Sequence, residues 1–186
     1  MNRLHMRYCR SARWTRRVEH TLLPWALHGV DLGDAVLELG PGFGVTTRLL
    51  AARTRALTAV EIDGDLAQRL RGRGFDVVHG DATRLPFDDA TFSAVVCFTM
   101  LHHLPDPSAQ DRLFAEALRV LRPGGVFAGS DSRVSLRFRL YHVADTMTPV
   151  DPQGLAARLT SVGFTDARTS VAPRAFRFRA VRPGSG

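Results

Sequence analysis

Short apolar runs alternate along this chain with stretches whose apolar residues recur at helical spacing. The runs Ala35–Leu39, Ala56–Glu61, Phe75–His79, Phe92–Phe98 and Val126–Gly129 predict short buried strands. Val45–Arg53, Leu66–Arg71, Gln110–Leu121 and Gln153–Val162 predict helices. Asp106-Pro107 is a start signal ahead of the third helix, and Gly163 stops the fourth. Trp14, Val18, Leu22 and Trp25 set an amphipathic helix over residues 11–28, kinked or broken near Pro24. Phe164–Val171 and Ala175–Val181, joined at Pro173, predict a terminal hairpin.

Strand and helix alternate with short links, which predicts a mostly parallel α/β sheet covered on both faces. The hairpin brings it to seven strands and adds an antiparallel element at one edge. The expected organisation is a basic helical arm or lid over 1–30, one α/β domain over 31–182 and a disordered tail over 183–186. A chain of 186 residues suits one domain and buries roughly 70% of its unfolded surface. No apolar run approaches the ~20 residues that span a bilayer, and no signal peptide is legible. Cys9 and Cys97 form no CxxC pair, so a cytoplasmic setting is expected.

Charge changes this picture only by its placement. All 25 basic residues are arginine. The lack of lysine excludes a Schiff base, a pyridoxal-phosphate anchor and a phosphate-loop lysine. Asn and Ile occur once each, so part of the arginine excess reflects compositional bias. Residues 1–20 hold six Arg and one Glu, and residues 168–186 hold five Arg and no acid. The remaining body is net −3 within a total of +7.

Three stretches at successive strand ends carry candidate chemistry. Gly40, Gly42 and Gly44 follow a strand and open a helix, where the lack of Cβ admits a ligand to the backbone. The G-x-G-x-x-G fingerprint fails, because its third glycine would fall on Val45. The pattern is E-x-G-x-G-x-G instead. Its acid, Glu38, repels phosphate and attracts a cationic group. Glu61, 17 residues after Gly44, can accept two hydrogen bonds from a ribose diol. The plainer role of a surface acid suits Asp63. Asp81 can accept from an adenine amino group while the Ala82 N–H donates to the ring; otherwise Asp81 is a turn former.

Together these stretches, with Phe92-Ser-Ala-Val-Val-Cys97, Leu101-His-His-Leu104 and Leu121-Arg-Pro-Gly-Gly125, resemble the class I S-adenosylmethionine-dependent methyltransferases. The resemblance runs from about Ala35 to Gly129. It implies a Rossmann-like seven-stranded sheet, mostly parallel, with helices on both faces and an antiparallel C-terminal hairpin. It implies S-adenosyl-L-methionine as cofactor. Glu38 and the Gly40–Gly44 turn would hold the methionine end, Glu61 the ribose, and Asp81 with Ala82 the adenine. Phe98 or its neighbours would line the methionine side.

A sulfonium methyl is already activated, so such an enzyme must align a nucleophile and exclude water. A hydroxyl acceptor adds the need for a base. His102 and His103 are the candidates, with Asp131, His142 and Asp145 behind them. No metal is expected: the adjacent histidines diverge and no acid or cysteine completes a ligand set.

The segment Cys97-Phe-Thr-Met-Leu-His departs from the Asn/Asp-Pro-Pro-aromatic motif of amino-methylating nucleic-acid enzymes. Cys97 also lacks the preceding proline of the pyrimidine-carbon enzymes. Phe98, Met100, Leu101 and Leu104 suit a small or lipidic acceptor, or plain core packing. In the arm, Tyr8 and Trp14 are candidate substrate contacts, as is His142 further on. A solvated helix face accounts for the same arginines. The alternatives are an RNA-modifying methyltransferase recruited by the basic ends and a non-catalytic donor-binding module. Nucleic acid and an anionic membrane surface are therefore both candidate partners of those ends.

Overall fold

The computed structural model describes residues 3–135 and 147–184. Seven strands form one sheet in the order β3-β2-β1-β4-β5-β7-β6. They are β1 (Ala35–Leu39), β2 (Ala56–Glu61), β3 (Asp76–His79), β4 (Phe92–Phe98), β5 (Leu121–Ser132), β6 (Thr165–Val171) and β7 (Ala175–Val181). All neighbours run parallel except β5–β7 and β7–β6. The chain order reverses direction between β1 and β4, so a crevice opens at their carboxyl ends.

Helices α1 (Arg3–Cys9), α2 (Ala12–Arg17) and α3 (Leu23–Ala26) precede the sheet. α4 (Val45–Ala51), α5 (Gly64–Arg71), α6 (Pro107–Val120) and α7 (Leu155–Val162) follow the strands. Period-2 alternation supplies both sheet faces. Leu37, Leu39, Val95, Cys97, Phe127, Phe176 and Phe178 pack in one cluster with α6 and α7. Val36, Ala94, Val96, Phe98, Val126 and Ala128 pack in another with Val18, Leu22, Leu23 and Ala26. The last half of the basic arm is thus core, because its apolar stripe covers a sheet face that would otherwise meet water.

Several boundaries differ from expectation by a few residues, and three of them have a clear local reason. The break near Pro24 begins a turn earlier, as a π-turn over Val18–Leu22, with the Leu23 N–H donating to Val18 O. That wider turn relieves the clash a proline ring makes with the preceding helix. α6 begins at Pro107, not Gln110: Asp106 caps it by accepting from Ala109 N at 2.7 Å, and proline fits the first turn. β5 extends back to Leu121, with the pairing jumping from Phe92–Leu121 to Ala94–Val126. The Arg122–Gly125 turn is therefore a bulge inside a strand.

Candidate active site

A cleft of about 560 Å³ opens over the carboxyl ends of β1, β2 and β4. Its floor on one side is the turn after β1. Gly40 and Gly42 both have positive φ, +65° and +57°. A Cβ on Gly40 would collide with Met100, whereas one on Gly42 would meet open space. Gly44 is different. It lies outside the cleft lining, caps α4 in the left-handed conformation, and leaves room for Leu70 of α5.

Glu38 and Glu61 are both buried, at 1% and 5% exposure. Glu38 stands behind the wall. One of its oxygens accepts from the Thr46 hydroxyl, and the other, Oε2, is buried with no hydrogen-bond partner. Burial, with the Glu61 charge as a lesser contribution, pushes its carboxyl up to about 7 from 4.5. An orphan buried carboxylate oxygen is costly unless a donor arrives. Glu61 faces the cleft, accepting from Gly42 N at 2.8 Å and from Asp63 N at 3.0 Å. A carboxylate offers about four lone-pair sites, so two remain for a diol. Glu61 therefore fastens the β1 and β2 turns together and still presents acceptors to a ligand. Asp63 is exposed and caps α5, accepting from Asp65 N and Leu66 N.

Asp81 and Ala82 line the next sector. Asp81 is a turn former, accepting from Thr83 N at 2.8 Å, and it also borders the cleft. Sequence reading missed what fixes this loop. Arg119 of α6 donates to Leu85 O at 3.0 Å and Phe87 O at 2.7 Å. Glu116 accepts from Leu85 N at 2.7 Å. The Arg119 hydrogen bond holds the Glu116 carboxyl below its usual range. Nothing in the local pattern of α6 marks these two residues; only the packed loop gives them a role. Ile62 is a further omission: it is 69% exposed and lines the cleft. It is the one isoleucine of the chain.

The opposite wall comes from scattered segments. Phe98 ends β4, Thr99, Met100 and His103 follow it, Arg112 belongs to α6, and Cys9 and Trp14 belong to the arm. Tyr8 lies one layer out, its ring 5.4 Å from that of Trp14. Burial pushes the Cys9 thiol up to about 11, and that of Cys97 well up too, so both stay protonated and serve as apolar wall and core. Thr99 has φ +52°, rare for a β-branched residue, and its N–H donates to Ser130 O at 2.8 Å. Backbone strain is thus held at the cleft by the β4–β5 junction.

The two candidate histidines differ in burial. His103 lines the cleft. His102 is 2% exposed and turned inward, its Nδ1 2.5 Å from Asp131 Oδ1, with its backbone N donating to Asp131 Oδ2 at 3.0 Å. Asp131 is buried with it. The two rings lie against each other, centroids 4.2 Å apart, so His103 covers the buried His102 and only His103 reaches the cleft. His142 and Asp145 lie outside the described residues. Among the described residues, no group of three His, Cys, Asp or Glu side chains is placed to hold a metal ion.

A methyltransferase-domain family model matches residues 37–129, half of the chain. The chain belongs to the class I S-adenosylmethionine-dependent methyltransferase family. It is 34% identical over 141 residues to a probable S-adenosylmethionine-dependent methyltransferase of Mycolicibacterium smegmatis, covering 75% of this chain and 51% of that protein. It is 37% identical over 131 residues to a Mycobacterium tuberculosis phthiotriol/phenolphthiotriol dimycocerosates methyltransferase, covering 65% and 46%. The chain spans about half the length of the curated relatives it matches. Among solved structures, a Thermotoga maritima S-adenosylmethionine-dependent methyltransferase, possibly a histamine N-methyltransferase, superposes with TM-score 0.75 at 20% identity, over 96% and 98% of the two chains.

The methyltransferase family's cofactor is S-adenosyl-L-methionine, and the residues present fit it. The glycine turn leaves backbone open at Gly42. Glu61 has lone pairs to spare, and the orphan Glu38 oxygen calls for a hydrogen-bond donor. The lining acids Glu61, Asp63 and Asp81 give the cleft a field that suits a cation.

Proposed function

We propose that this chain methylates a nucleophilic atom of a small or lipidic acceptor. The observation that carries the reading is Glu61. It is a buried carboxylate, tied by backbone N–H groups to the β1 and β2 turns, and it still faces the cleft. When bound, S-adenosylmethionine supplies an already activated methyl group. Glu61 holds the ribose hydroxyls, and the second oxygen of Glu38 receives the methionine end through the Thr46 side of the wall. Asp81 and the Ala82 N–H read the adenine edge, and Ile62 covers the adenine face.

Phe98, Met100, Leu104 and Trp14 give the acceptor side an apolar lining, which aligns the acceptor and keeps water out. The relative named for dimycocerosate methylation supports a lipidic acceptor. An amine or thiolate acceptor needs no base. For a hydroxyl acceptor we assign the base to His103, the cleft-facing histidine, and a positioning role to His102 and Asp131. Two free cysteines suit a cytoplasmic setting.

Calorimetric titration with S-adenosylmethionine, followed by product detection over lipid and small-molecule acceptors, tests this reading. Saturable donor binding and a methylated product are expected. No heat of binding at millimolar donor sinks it, and binding without any product across the panel reduces the chain to a donor-binding module.

A further inference from the structure

The C-terminal hairpin, far from the arm in sequence, packs against the arm's α3 on one side of the sheet. Alternation along β7 sends Phe176, Phe178 and Ala180 into the core. Arg177 and Arg179 therefore point to the other face. That face carries α3: Arg177 donates to Trp25 O at 2.7 Å and lies 5.6 Å from the Trp25 ring. The register sets Arg168 of β6 directly opposite Arg179. Like charges across a strand pair are destabilising, and the acid beside them is Asp166, 3.7 Å from Arg168 on an exposed surface. On α1 and α2, residues 3–17 hold six arginines and no acid. The first acid of the arm, Glu19, is occupied by Arg48 of α4 at 3.7 Å. Arg13 and Arg16 are exposed.

The same helices carry apolar groups at the rim of the cleft. Cys9 and Trp14 line it, the Tyr8 ring meets Trp14 at a tilt, Arg10 lies over the Phe43 ring, and Met6 is 36% exposed. Exposed Arg13 and Arg16, with exposed Met6 at the rim, give these two short helices the cationic and apolar contacts that an anionic membrane interface takes up. No described helix is long and apolar enough to cross a membrane. A nucleic-acid platform would need aromatics in succession along a groove; here the two rings pack on each other at the cleft mouth.

We propose that the arm and the β6–β7 hairpin form one basic face that seats the protein on an anionic lipid surface, with the arm's apolar edge turning the cleft mouth toward the lipid. The orientation of the cleft rests on the lipidic-acceptor reading; the surface binding does not.

The test is sedimentation of the full chain with vesicles of equal parts phosphatidylglycerol and phosphatidylcholine, against phosphatidylcholine alone, at low and high salt. Binding to the anionic vesicles only, weakened by salt, is expected. Arg13→Gln and Arg16→Gln should each weaken it roughly fivefold. Equal donor affinity of the variants and the parent, by calorimetry, checks that they are folded. The proposal is overturned by no binding to anionic vesicles, by equal binding to neutral ones, by unchanged binding of the folded double variant, or by tighter binding to single-stranded RNA of matched charge. Donor binding is read separately: its absence in the parent ends the methyl-transfer reading and leaves the vesicle result to decide the surface.

Discussion

On one side of the cleft, the turn after β1, the acid ending β2 and the loop after β3 lie between residues 38 and 82. They come from adjacent parallel strands, and Glu61 links two of them by backbone hydrogen bonds. On the other side, the wall is drawn from residues 9–14, 98–105 and 109–112. It hangs on the buried His102–Asp131 pair and on Gln110, which donates to Leu101 O and Thr148 O. The first side is thus made of short-range pieces that one sheet aligns. The second is made of long-range pieces that packing must bring together. The first arrangement suits a ligand shared by a family, and the second leaves room for acceptors to differ.

Removing the packing pair should test that contrast most severely. Asp131→Ala is expected to cost about 1–3 kcal/mol of folding stability, because it strands the buried ring and backbone N–H of His102, as read by urea denaturation. His103→Asn should leave the denaturation curve nearly unchanged. If His103→Asn destabilises as much as Asp131→Ala, the division between core and cleft histidines is wrong.

The donor side should respond in affinity. Glu61→Ala is expected to weaken S-adenosylmethionine binding by more than tenfold, from loss of charged contacts of roughly 1.5–3 kcal/mol, in calorimetric titration. An unchanged dissociation constant would remove the ribose assignment.

Glu38 gives the contrast a pH signature. Burial raises its carboxyl from 4.5 to about 7. The folded state then holds a proton that the unfolded chain has lost, so its stability falls as pH rises from about 4.5 through about 7. A donor ammonium favours the carboxylate, so donor affinity should rise over the same window as binding releases the proton. Calorimetry in buffers of different ionisation heat measures that release. Glu38→Gln should abolish both the proton release and this share of the pH dependence; persistence of either would place the titrating group elsewhere.

The smallest effect is expected at the arm. Trp14→Ala should raise the acceptor KM severalfold while donor affinity holds, since Trp14 packs on Tyr8 at the acceptor side. Initial-rate kinetics with both ligands varied separates the two. A change in donor affinity alone would move the arm to the other half of the site.

The legibility of the site in the sequence follows the same division. Glu38, Gly40, Gly42, Glu61, Asp81 and Ala82 were marked by chemistry lying within a few residues of a strand end. All but Glu38 line the cleft, and Glu38 touches it through Thr46. Gly44 was marked by the same pattern, but Leu70 of α5 explains it. His102 and His103 looked equivalent, because a local pattern does not say which way a short turn faces. Arg119 and Glu116 were invisible because their partners, Leu85, Phe87 and Asp89, lie in a loop about thirty residues away.

Alternating periods of two and 3.6, punctuated by glycine and proline, determined by themselves the seven strands, their helices and the parallel order with its terminal hairpin. The spacing of acids and glycines at strand ends marked Gly40, Gly42, Glu61, Asp81 and Ala82, which line one side of the cleft. These are local properties: a strand end, a turn and a cap depend on neighbours in the chain. Only the tertiary structure decided that His102 is core and His103 lines the cleft, that Arg119 braces the loop after β3, and that Arg177 of the hairpin packs on Trp25 of the arm. Each of those depends on which distant surfaces meet, and burial sets that through the whole sheet at once.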